Sequence, residues 1–481
     1  MATTLIERDP NRAAVAHLLR RTALSVHSTR VDELADGSWD AAVTAVLSHN
    51  DGDNETAPRT NDDWSESVIW WIDRMSASDT GLTDRMAWFW HGLLTTNAWK
   101  VNEDSLISGQ LNILRTNARG NFRTLLHQFV GSGALLLYLN ASDSTASNPN
   151  ENLACELMEL FTIGRGNYSQ DDVRAAARAL SGWVVEDGNV LFERENAFIA
   201  PLVFLGEQAD WDTDKIVDRL CDHPATAARI SARLWQSMVG VPLSADGAAE
   251  LGRFWQDNDL EIEPLVTRIL SDQLFRDSRL NKPRTGIEWY RATRAAVGLE
   301  QESIWEIENL GQTPFLPPNV AGWPDDRRWL SPGSILARAS VVHGIDMSSQ
   351  PVLALVLPLT FCAVVRSMPS PTPPSPRWKR QRPPPTSHPR EYITPSGVSP
   401  SPARSSTSRN QAVSPHGSGC LASATPTTFA SALPRTARCR ISPWSNDGNG
   451  AMSMEKATCE RASSGASLMH STMAPFSSVS R

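Results

Sequence analysis

The sequence predicts an all-α protein, with a single large multi-helical domain, one small β-hairpin, a proline-rich surface loop and a disordered tail. Three observations predict this class. Apolar residues recur at spacings of three and four through most of residues 8–346, strand-like segments are confined to one short stretch, and 19 of the 32 prolines fall in residues 347–481. The domain boundaries are therefore 8–346 for the helical domain and 347–481 for the tail.

The helical period predicts the position of each helix in order along the chain. The predicted segments are 11–22, 39–48, 63–75, 81–97, 105–117, 121–130, 149–163, 169–182, 213–221, 224–238, 245–256, 259–271, 284–298 and 333–343. Asn148 is predicted to cap the segment 149–163, with Glu151 completing a capping box. Ser169, with Asp172 three residues later, is predicted to cap the next helix.

Two segments depart from the helical period. The stretch WVVEDGNVLFE, residues 183–193, has two β-prone runs around Asp-Gly-Asn, which predicts a hairpin. Residues 310–332, LGQTPFLPPNVAGWPDDRRWLSP, contain too many prolines for a helix. Their aromatic side chains predict that this loop packs on the helical body, and long ordered loops are often functional.

The composition changes near residue 346. Residues 1–346 hold 49 acidic and 31 basic residues, a net charge of −18, whereas residues 347–481 hold 4 acidic and 14 basic residues, a net charge of +10. The tail lacks any apolar period, so it cannot bury enough surface to offset chain entropy and is predicted to be disordered. Its Ser/Pro/Arg bias and its abrupt start also suggest an out-of-frame translation, which resequencing around codon 346 would test.

Charge and hydropathy exclude several classes of protein. The acidic body argues against sequence-independent nucleic-acid binding, so no nucleic-acid partner is expected. The longest apolar run, residues 352–365, is shorter than the roughly 20 residues that span a bilayer, so no membrane span is expected. No export signal is visible in the sequence, which predicts a cytoplasmic location. Cys155 and Cys221 show no metal spacing and are interpreted as small buried hydrophobes, with disulfides not expected.

Four stretches together resemble the bacterial family called domain of unknown function 1800. They are HLLRRTALS (17–25), RMAWFWHGLLTTNAWKV (85–101), NPNENLACELMELFTIGRGNYSQDDVRAAARALSGW (148–183) and LGQTPFLPPNVAGWP (310–324). The resemblance covers residues 10–345. It implies a mostly α-helical fold with no established activity. It also implies a partner, because members are often encoded beside a sulfatase-like protein. Members often carry export signals, whereas none is expected here from the visible sequence.

The central stretch supplies the first candidate site. At 100° per residue, Glu156 and Glu159 lie on the polar arc of the predicted helix 149–163, at a spacing that lets two carboxylates converge. Arg174 and Arg178 lie on the next helix, at i,i+4, and are predicted to pair with these glutamates in a buried network. The alternative is an ordinary solvated polar face. A buried ion-pair network is also poor evidence of function.

His91 is the candidate histidine. It lies in a segment that is apolar on every side, RMAWFWHGLL, and a metal site built from Glu156 and Glu159 requires a histidine from elsewhere in the chain. The alternative is a hydrogen-bonded core histidine. The sequence holds no Glu-x-x-His or His-x-x-His pair in the body, so the metal and the cofactor, if any, stay unassigned.

The proline-rich loop supplies a second candidate site. Gln312 and Asn319 are predicted to present polar groups to a pocket beside Trp323. Asn319 can equally satisfy the backbone of its own loop. Two function classes follow from these sites. The favoured one is a non-catalytic binding or assembly factor that acts with the sulfatase-like neighbour. The alternative is a hydrolytic or metal-assisted enzyme that uses Glu156, Glu159 and His91.

Overall fold

Helices account for most of the chain that the structure, a computed structural model, describes: residues 9–48, 64–75, 81–297, 304–324 and 327–344. All of these residues lie in one compact unit. The first helices are α1 (Pro10–Thr22), α2 (Ser28–Ala35), α3 (Trp39–Ser48), α4 (Trp64–Arg74), α5 (Leu82–Leu93), α6 (Ala98–Val101), α7 (Asp104–Thr116), α8 (Phe122–Val130) and α9 (Gly133–Tyr138).

The helical pattern continues to residue 344. The remaining helices are α10 (Glu151–Glu156), a π-helix π1 (Leu157–Phe161), α11 (Gln170–Ala179), α12 (Thr213–Asp222), α13 (Pro224–Val239), α14 (Ala245–Asp257), α15 (Ile262–Leu270), α16 (Gln273–Asp277), α17 (Gly286–Val297), α18 (Ile304–Asn309), a 3₁₀ turn (Arg327–Leu330) and α19 (Pro332–Gly344). The all-α prediction is confirmed. The helices that the period missed are mostly of four to eight residues, too short to show two full turns of pattern.

Two small antiparallel hairpins interrupt the helices. Strands β1 (Trp183–Glu186) and β2 (Asn189–Phe192) pair across Asp187-Gly188, where both residues have positive φ, as the predicted hairpin turn requires. Strands β3 (Leu202–Phe204) and β4 (Glu207–Ala209) form a second hairpin. The sequence analysis missed this second pair because three-residue strands show no alternation and their turn lacks an Asn-Gly or Asp-Gly signal.

The helix starts follow from side-chain caps. Ser169 and Asp172 form the predicted capping box of α11. The predicted cap at Asn148 is wrong, because Asn150 is the N-cap of α10 and accepts a hydrogen bond from the Asn152 N–H at 2.8 Å. Asn148 instead closes a turn by donating its backbone N–H to Thr145 O.

Buried aromatic rings hold the centre of the helical body together. Trp90 on α5 packs against Phe122 on α8, with ring centroids 5.5 Å apart, and Phe122 packs against Trp255 on α14 at 5.4 Å. All three rings are fully buried. Because large aromatic side chains dominate core energetics, this stack ties three helices distant in sequence into one core.

The proline-rich loop is docked on α5 and the turn after it, as the sequence predicted. Phe315 O accepts a hydrogen bond from the Ala98 N–H at 2.8 Å, and Thr95 Oγ1 donates to Val320 O at 2.5 Å. Gly322 approaches Gly92 so closely that a Cβ would overlap its carbonyl oxygen. The loop is therefore fixed by backbone contacts to α5 as well as by its aromatic side chains.

Two further sequence predictions concern the tail and the absence of a membrane span. The tail at 347–481, predicted to be disordered or out of frame, lies outside the described residues. Within the part of the chain that is described, no helix is long and apolar enough to cross a membrane.

Candidate functional site

The helix carrying the glutamate pair changes its winding in the middle. Residues 151–156 are α-helical and residues 157–161 form π1, which ends where Thr162 Oγ1 donates to Leu157 O at 2.6 Å. The projection at 100° per residue therefore fails beyond Glu156, because a π-helix has more residues per turn. Short π segments are frequent at functional sites. Cys155 on the same helix is buried, as predicted, but it is disulfide-bonded, so the expectation of no disulfide is wrong.

Glu156 and Glu159 lie close together but have different surroundings. Glu159 Oε1 lies 2.5 Å from Arg165 Nη2 and accepts a hydrogen bond from Arg165 Nε at 2.6 Å. Tyr168 OH donates to Glu159 Oε2 at 3.3 Å. Glu156 is half-buried, and burial together with the charge of Glu159 raises its pKa to about 7. Burial and the charge of Glu156 in turn raise the pKa of Tyr138 to about 12. The pair thus combines one fixed carboxylate and one carboxyl that titrates near neutrality.

The predicted network with Arg174 and Arg178 is wrong. Both arginines are exposed on α11, where Arg174 pairs with Asp171 at 2.8 Å and Arg178 lies over the Phe198 ring at 5.3 Å. The positive charge that pairs with Glu159 is Arg165, in the short connection between π1 and α11. A six-residue separation across a non-helical turn has no periodicity that a helical projection could reveal.

We expect the pH dependence of stability to report on Glu156. Its pKa of about 7 lies above the ordinary 4.5, so the unfolded chain loses this proton first as the pH rises. Stability should therefore fall between about pH 4.5 and pH 7. Thermal melts of Glu156→Gln should lack this slope and show a gain of about 1 kcal/mol or less at pH 8, because solvent screens a half-buried group. An unchanged slope in the variant would contradict the assignment.

His91 is a core residue that supports the loop. Its Nε2 accepts the Phe315 N–H at 2.9 Å, and burial lowers the pKa of the imidazole to about 3, so the ring is neutral. Phe315 has a φ of +59°, which is unusual for a bulky residue and must be held by its neighbours. Its N–H bond to His91 and its carbonyl bond to Ala98 hold it. The imidazole of His91 stacks on the rings of Trp88 and Trp323, with centroids 5.4 and 5.2 Å away. No contact in the described chain joins His91 to Glu156 or Glu159.

The loop residues Gln312 and Trp323 line a pocket of about 270 Å³, whereas Asn319 does not. Asn319 is exposed, and its Oδ1 accepts the Ala321 N–H at 2.9 Å, so it satisfies the backbone of its own loop. Gln312 is buried, and its Oε1 accepts the Ile287 N–H at 2.9 Å. The prediction of a pocket beside Trp323 thus corresponds to a real cavity for two of the three residues.

The pocket combines an aromatic wall with charged groups. Trp88 and Trp323 stack at 5.9 Å with their planes 23° apart. Further described residues that line it are Arg85, Phe89, Gly92, Arg233, Gln236, Ser237, Lys282, Thr285, Glu288, Ala321, Pro324 and Arg328. Another cavity, lined by residues of α14, α15, the segment between them and Ser271 after α15, is more exposed and holds none of the predicted residues.

Glu288 is the carboxylate with which two cations of the pocket lining interact. It accepts from Arg85 Nη1 at 2.5 Å, lies 3.8 Å from Lys282 Nζ and accepts the Thr285 N–H at 3.0 Å. Burial alone would raise the pKa of Glu288, but the charges of Lys282 and Arg85 outweigh burial and hold its pKa below the ordinary value. Its carboxylate is therefore ionised and acts as an acceptor.

The N-terminus of α17 opens at the pocket. Thr285 immediately precedes this helix, and Thr285-x-x-Glu288 has the spacing of a capping box. Only half of the box is formed, because Thr285 Oγ1 has no hydrogen-bond partner among the described residues. The Thr285-x-x-Glu288 spacing is a sequence signal for this site. No sequence pattern connects Arg85, Arg233 or Arg328 with it.

Metal binding receives no support from side-chain positions. Within the described ranges, no group of three or more His, Cys, Asp or Glu residues is placed to hold a metal ion. Glu156 and Glu159 form a pair without a histidine, and His91 has its ring nitrogen Nε2 occupied by a backbone N–H.

A family model described as a protein of unknown function, DUF1800, matches residues 17–436. The chain belongs to this family. The resemblance seen in the motifs is thereby confirmed, and the DUF1800 match includes the α5 motif, the glutamate helix and the proline-rich loop. The match extends to residue 436, about 90 residues past the end of the stretch in which the motifs showed the resemblance. Resequencing around codon 346 tests the reading frame of the tail. No curated protein and no solved structure matches the chain significantly.

Proposed function

We propose that the protein is a non-catalytic binding factor that acts with the sulfatase-like protein encoded near members of its family. The observation that carries this proposal is the pocket beneath the proline-rich loop. It joins an aromatic wall, Trp88 and Trp323, to charged groups at the start of α17. Pockets with apolar walls and a few placed polar groups are typical ligand sites.

The chemistry of the pocket favours binding over catalysis. Glu288 is ionised and engaged by Arg85 and Lys282, so it is a poor proton donor. His91 lies behind the aromatic wall as a neutral ring, where it holds Phe315 in place. The groups that the sequence suggested for acid–base chemistry therefore serve to position the loop or belong to a different part of the fold.

A pull-down with the sulfatase-like protein tests the proposal. Trp323→Ala and Arg233→Gln both change the pocket, and Arg233 is only partly buried, so the second variant should fold normally. Trp99→Ala is the matched control, because Trp99 is 69% exposed and does not line the pocket. We expect both pocket variants to reduce capture at least five-fold while Trp99→Ala retains it. Unchanged capture by both pocket variants would contradict the proposal.

The second candidate function is an enzyme that uses Glu156. One observation favours it: a carboxyl with a pKa of about 7 beside a π-helix is an arrangement often found at active sites. Metal analysis of the purified full-length protein separates the two functions. Stoichiometric metal that is lost in Glu156→Gln would favour the enzyme, whereas a metal-free protein with an unchanged melting temperature in that variant would count against it.

The compartment is part of the proposal. We expect the protein in the cytoplasm, although related proteins often carry export signals. Fractionation of cells that produce the full chain tests this expectation, and recovery outside the cytoplasm would contradict it.

A further inference from the structure

We propose that three arginines, Arg20, Arg279 and Arg284, form a binding site for a tetrahedral oxyanion, the chemistry that phosphate and sulfate groups share. The site lies where the end of α1 meets the segment between α16 and α17. None of the three arginines lines the pocket beneath the proline-rich loop, so this inference goes beyond the proposed function.

The packing of α1 on the residues after α16 brings the first two arginines together. His17 Nε2 lies 3.3 Å from Ser278 Oγ, and both residues are buried. Arg20 lies three residues after His17 in α1, and Arg279 directly follows Ser278. Burial lowers the pKa of His17 to about 4, and the charges of neighbouring arginines, including Arg20 and Arg279, lower it further. Both guanidinium groups therefore lie near the same imidazole.

Arg284 reaches the same region from the residues before α17. Burial lowers the pKa of Arg20 to about 10, and the charge of Arg284 is the next largest cause. The backbone of Arg284 is fixed, because its carbonyl accepts a hydrogen bond from Arg338 Nη2 at 2.8 Å. Arg338 itself lies over the Trp289 ring, 5.6 Å from its centroid. Arg284 thus brings a third guanidinium group to Arg20 and Arg279.

The three arginines have no counter-ion of their own. Within the described chain, the guanidinium groups of Arg20, Arg279 and Arg284 form no hydrogen bond and no ion pair. Glu288 is the carboxylate whose charge acts on Arg284, and two cations of the pocket lining already engage it. Residues 1–346 hold 49 acidic against 31 basic residues, so acidic side chains are the commoner kind in this body. A group of three arginines without a carboxylate is therefore unexpected here and indicates an external anion.

The arginines are surrounded by protein and yet accessible to water. Arg20 and Arg284 are exposed, and Arg279 is partly exposed. Burial is nevertheless the largest cause that lowers the pKa of Arg20 and of Arg284. Both observations are satisfied by side chains in a recess, where protein atoms surround the charge and a solute can still reach it. Like charges that lie close together in such surroundings disfavour one another, and a bound anion would offset that repulsion.

The geometry of arginine defines the class of anion. A guanidinium group presents its N–H donors in a planar fork that matches two oxygens of a phosphate or sulfate group. Three such forks offer more donors than the two oxygens of a single carboxylate accept. A tetrahedral oxyanion carries more oxygens and a second negative charge. We therefore expect phosphate and sulfate to bind and acetate to bind poorly.

Calorimetric titrations of the full-length protein test the ligand class with inorganic phosphate, sulfate and acetate at matched ionic strength. We expect phosphate or sulfate to bind about ten-fold or more tightly than acetate. Its affinity should fall as sodium chloride is added. The order of phosphate and sulfate distinguishes the two sources of the charge. Equal affinity for acetate, or no binding of either tetrahedral anion, would overturn the inference.

Arg20→Gln and Arg284→Gln locate the binding. Each variant removes one guanidinium group and should weaken the preferred anion about ten-fold, because hydrogen bonds between charged groups are the strong ones. Arg20→Lys and Arg284→Lys keep the charge but lose the fork, so their affinity should lie between that of the Gln variant and that of the native chain. Arg253→Gln is the matched control, because Arg253 on α14 is also exposed and forms no hydrogen bond or ion pair with a described residue. An equal loss in Arg253→Gln would contradict the assignment.

Thermal melts separate an anion site from a structural cluster. Without phosphate or sulfate, Arg20→Gln and Arg284→Gln should melt at the native temperature or above it, because each removes a like charge from its neighbours. With saturating anion, the native chain should gain more than either variant. Lower melting temperatures of both Gln variants without the anion would show that the arginines hold the fold together, and would overturn the inference.

The pocket variants distinguish a failure of this site from a failure of the proposed function. Trp323→Ala should lose the sulfatase-like protein in the pull-down and still bind the tetrahedral anion. If Trp323→Ala also lost the anion, the binding would belong to the pocket and the assignment to Arg20, Arg279 and Arg284 would be wrong. If no anion binds while Trp323→Ala still loses the partner, the proposed function stands alone.

Discussion

Arg85→Met is expected to destabilise the protein by about 3–5 kcal/mol, because it leaves Glu288 as a buried carboxylate without its closest cation. Arg85 and Glu288 are 3% and 8% exposed, and Arg85 Nη1 lies 2.5 Å from the carboxylate. The pair joins α5 to α17 across 203 residues of sequence. Thermal melts should show a decrease of about 5–10 °C.

An exposed ion pair supplies the control. Arg12 Nε lies 2.6 Å from Asp32, but the two side chains are 45% and 59% exposed. Arg12→Met should therefore cost less than about 1 kcal/mol, since solvent screens the pair. A cost for Arg85→Met as small as that for Arg12→Met would contradict the burial of the pair.

Gly322→Ala is expected to dislodge the proline-rich loop and to cost about 2–5 kcal/mol. Gly322 has a φ of +79°, which strains any L-residue, and its Cβ would overlap Gly92 O and contact Thr95 Cγ2 at 3.3 Å. Because Trp323 is the next residue, the displacement should also abolish binding to the pocket. Thermal melts and the pull-down with the sulfatase-like protein, carried out on the same preparation, measure both effects.

The same loop offers a matched control. Gly311 has a similar φ of +71°, but a Cβ there would meet no atom within 4 Å. Gly311→Ala should therefore show only the backbone strain, about 1–2 kcal/mol, and retain the pocket. Equal effects of the two variants would show that the close approach to Gly92 does not fix the loop.

Local patterns predicted local structure well in this chain. The helical period placed α13 and α15 within a few residues, and Asp187-Gly188 predicted the first hairpin. Ser169 and Asp172 predicted the start of α11. In each case the cause lies within a few neighbouring residues: apolar spacing, a turn that needs positive φ, or a side chain that satisfies a helix N–H. The predicted cap at Asn148 lies only two residues from the observed cap at Asn150.

The surroundings of Glu156 and Glu159 could not be predicted from local sequence patterns. A projection at 100° per residue assumes an α-helix throughout, but π1 changes the direction of every side chain after Glu156. The side chain that holds Glu159 is Arg165 in the following loop, and not Arg174 or Arg178. Winding and loop geometry depend on the packing of neighbouring elements, and Arg229 contributes here by donating to Leu160 O at 2.6 Å.

The sequence alone determined the family, the helical class, the position of most helices and the packing of the proline-rich loop on the body, with Gln312 and Trp323 beside a pocket. Only the tertiary structure decided which distant residues meet there. His91 is joined to Phe315 across 224 residues, and Arg85 is joined to Glu288 across 203. Such contacts leave no periodic trace in a single sequence, because they depend on how whole helices pack and not on the spacing of residues within one of them.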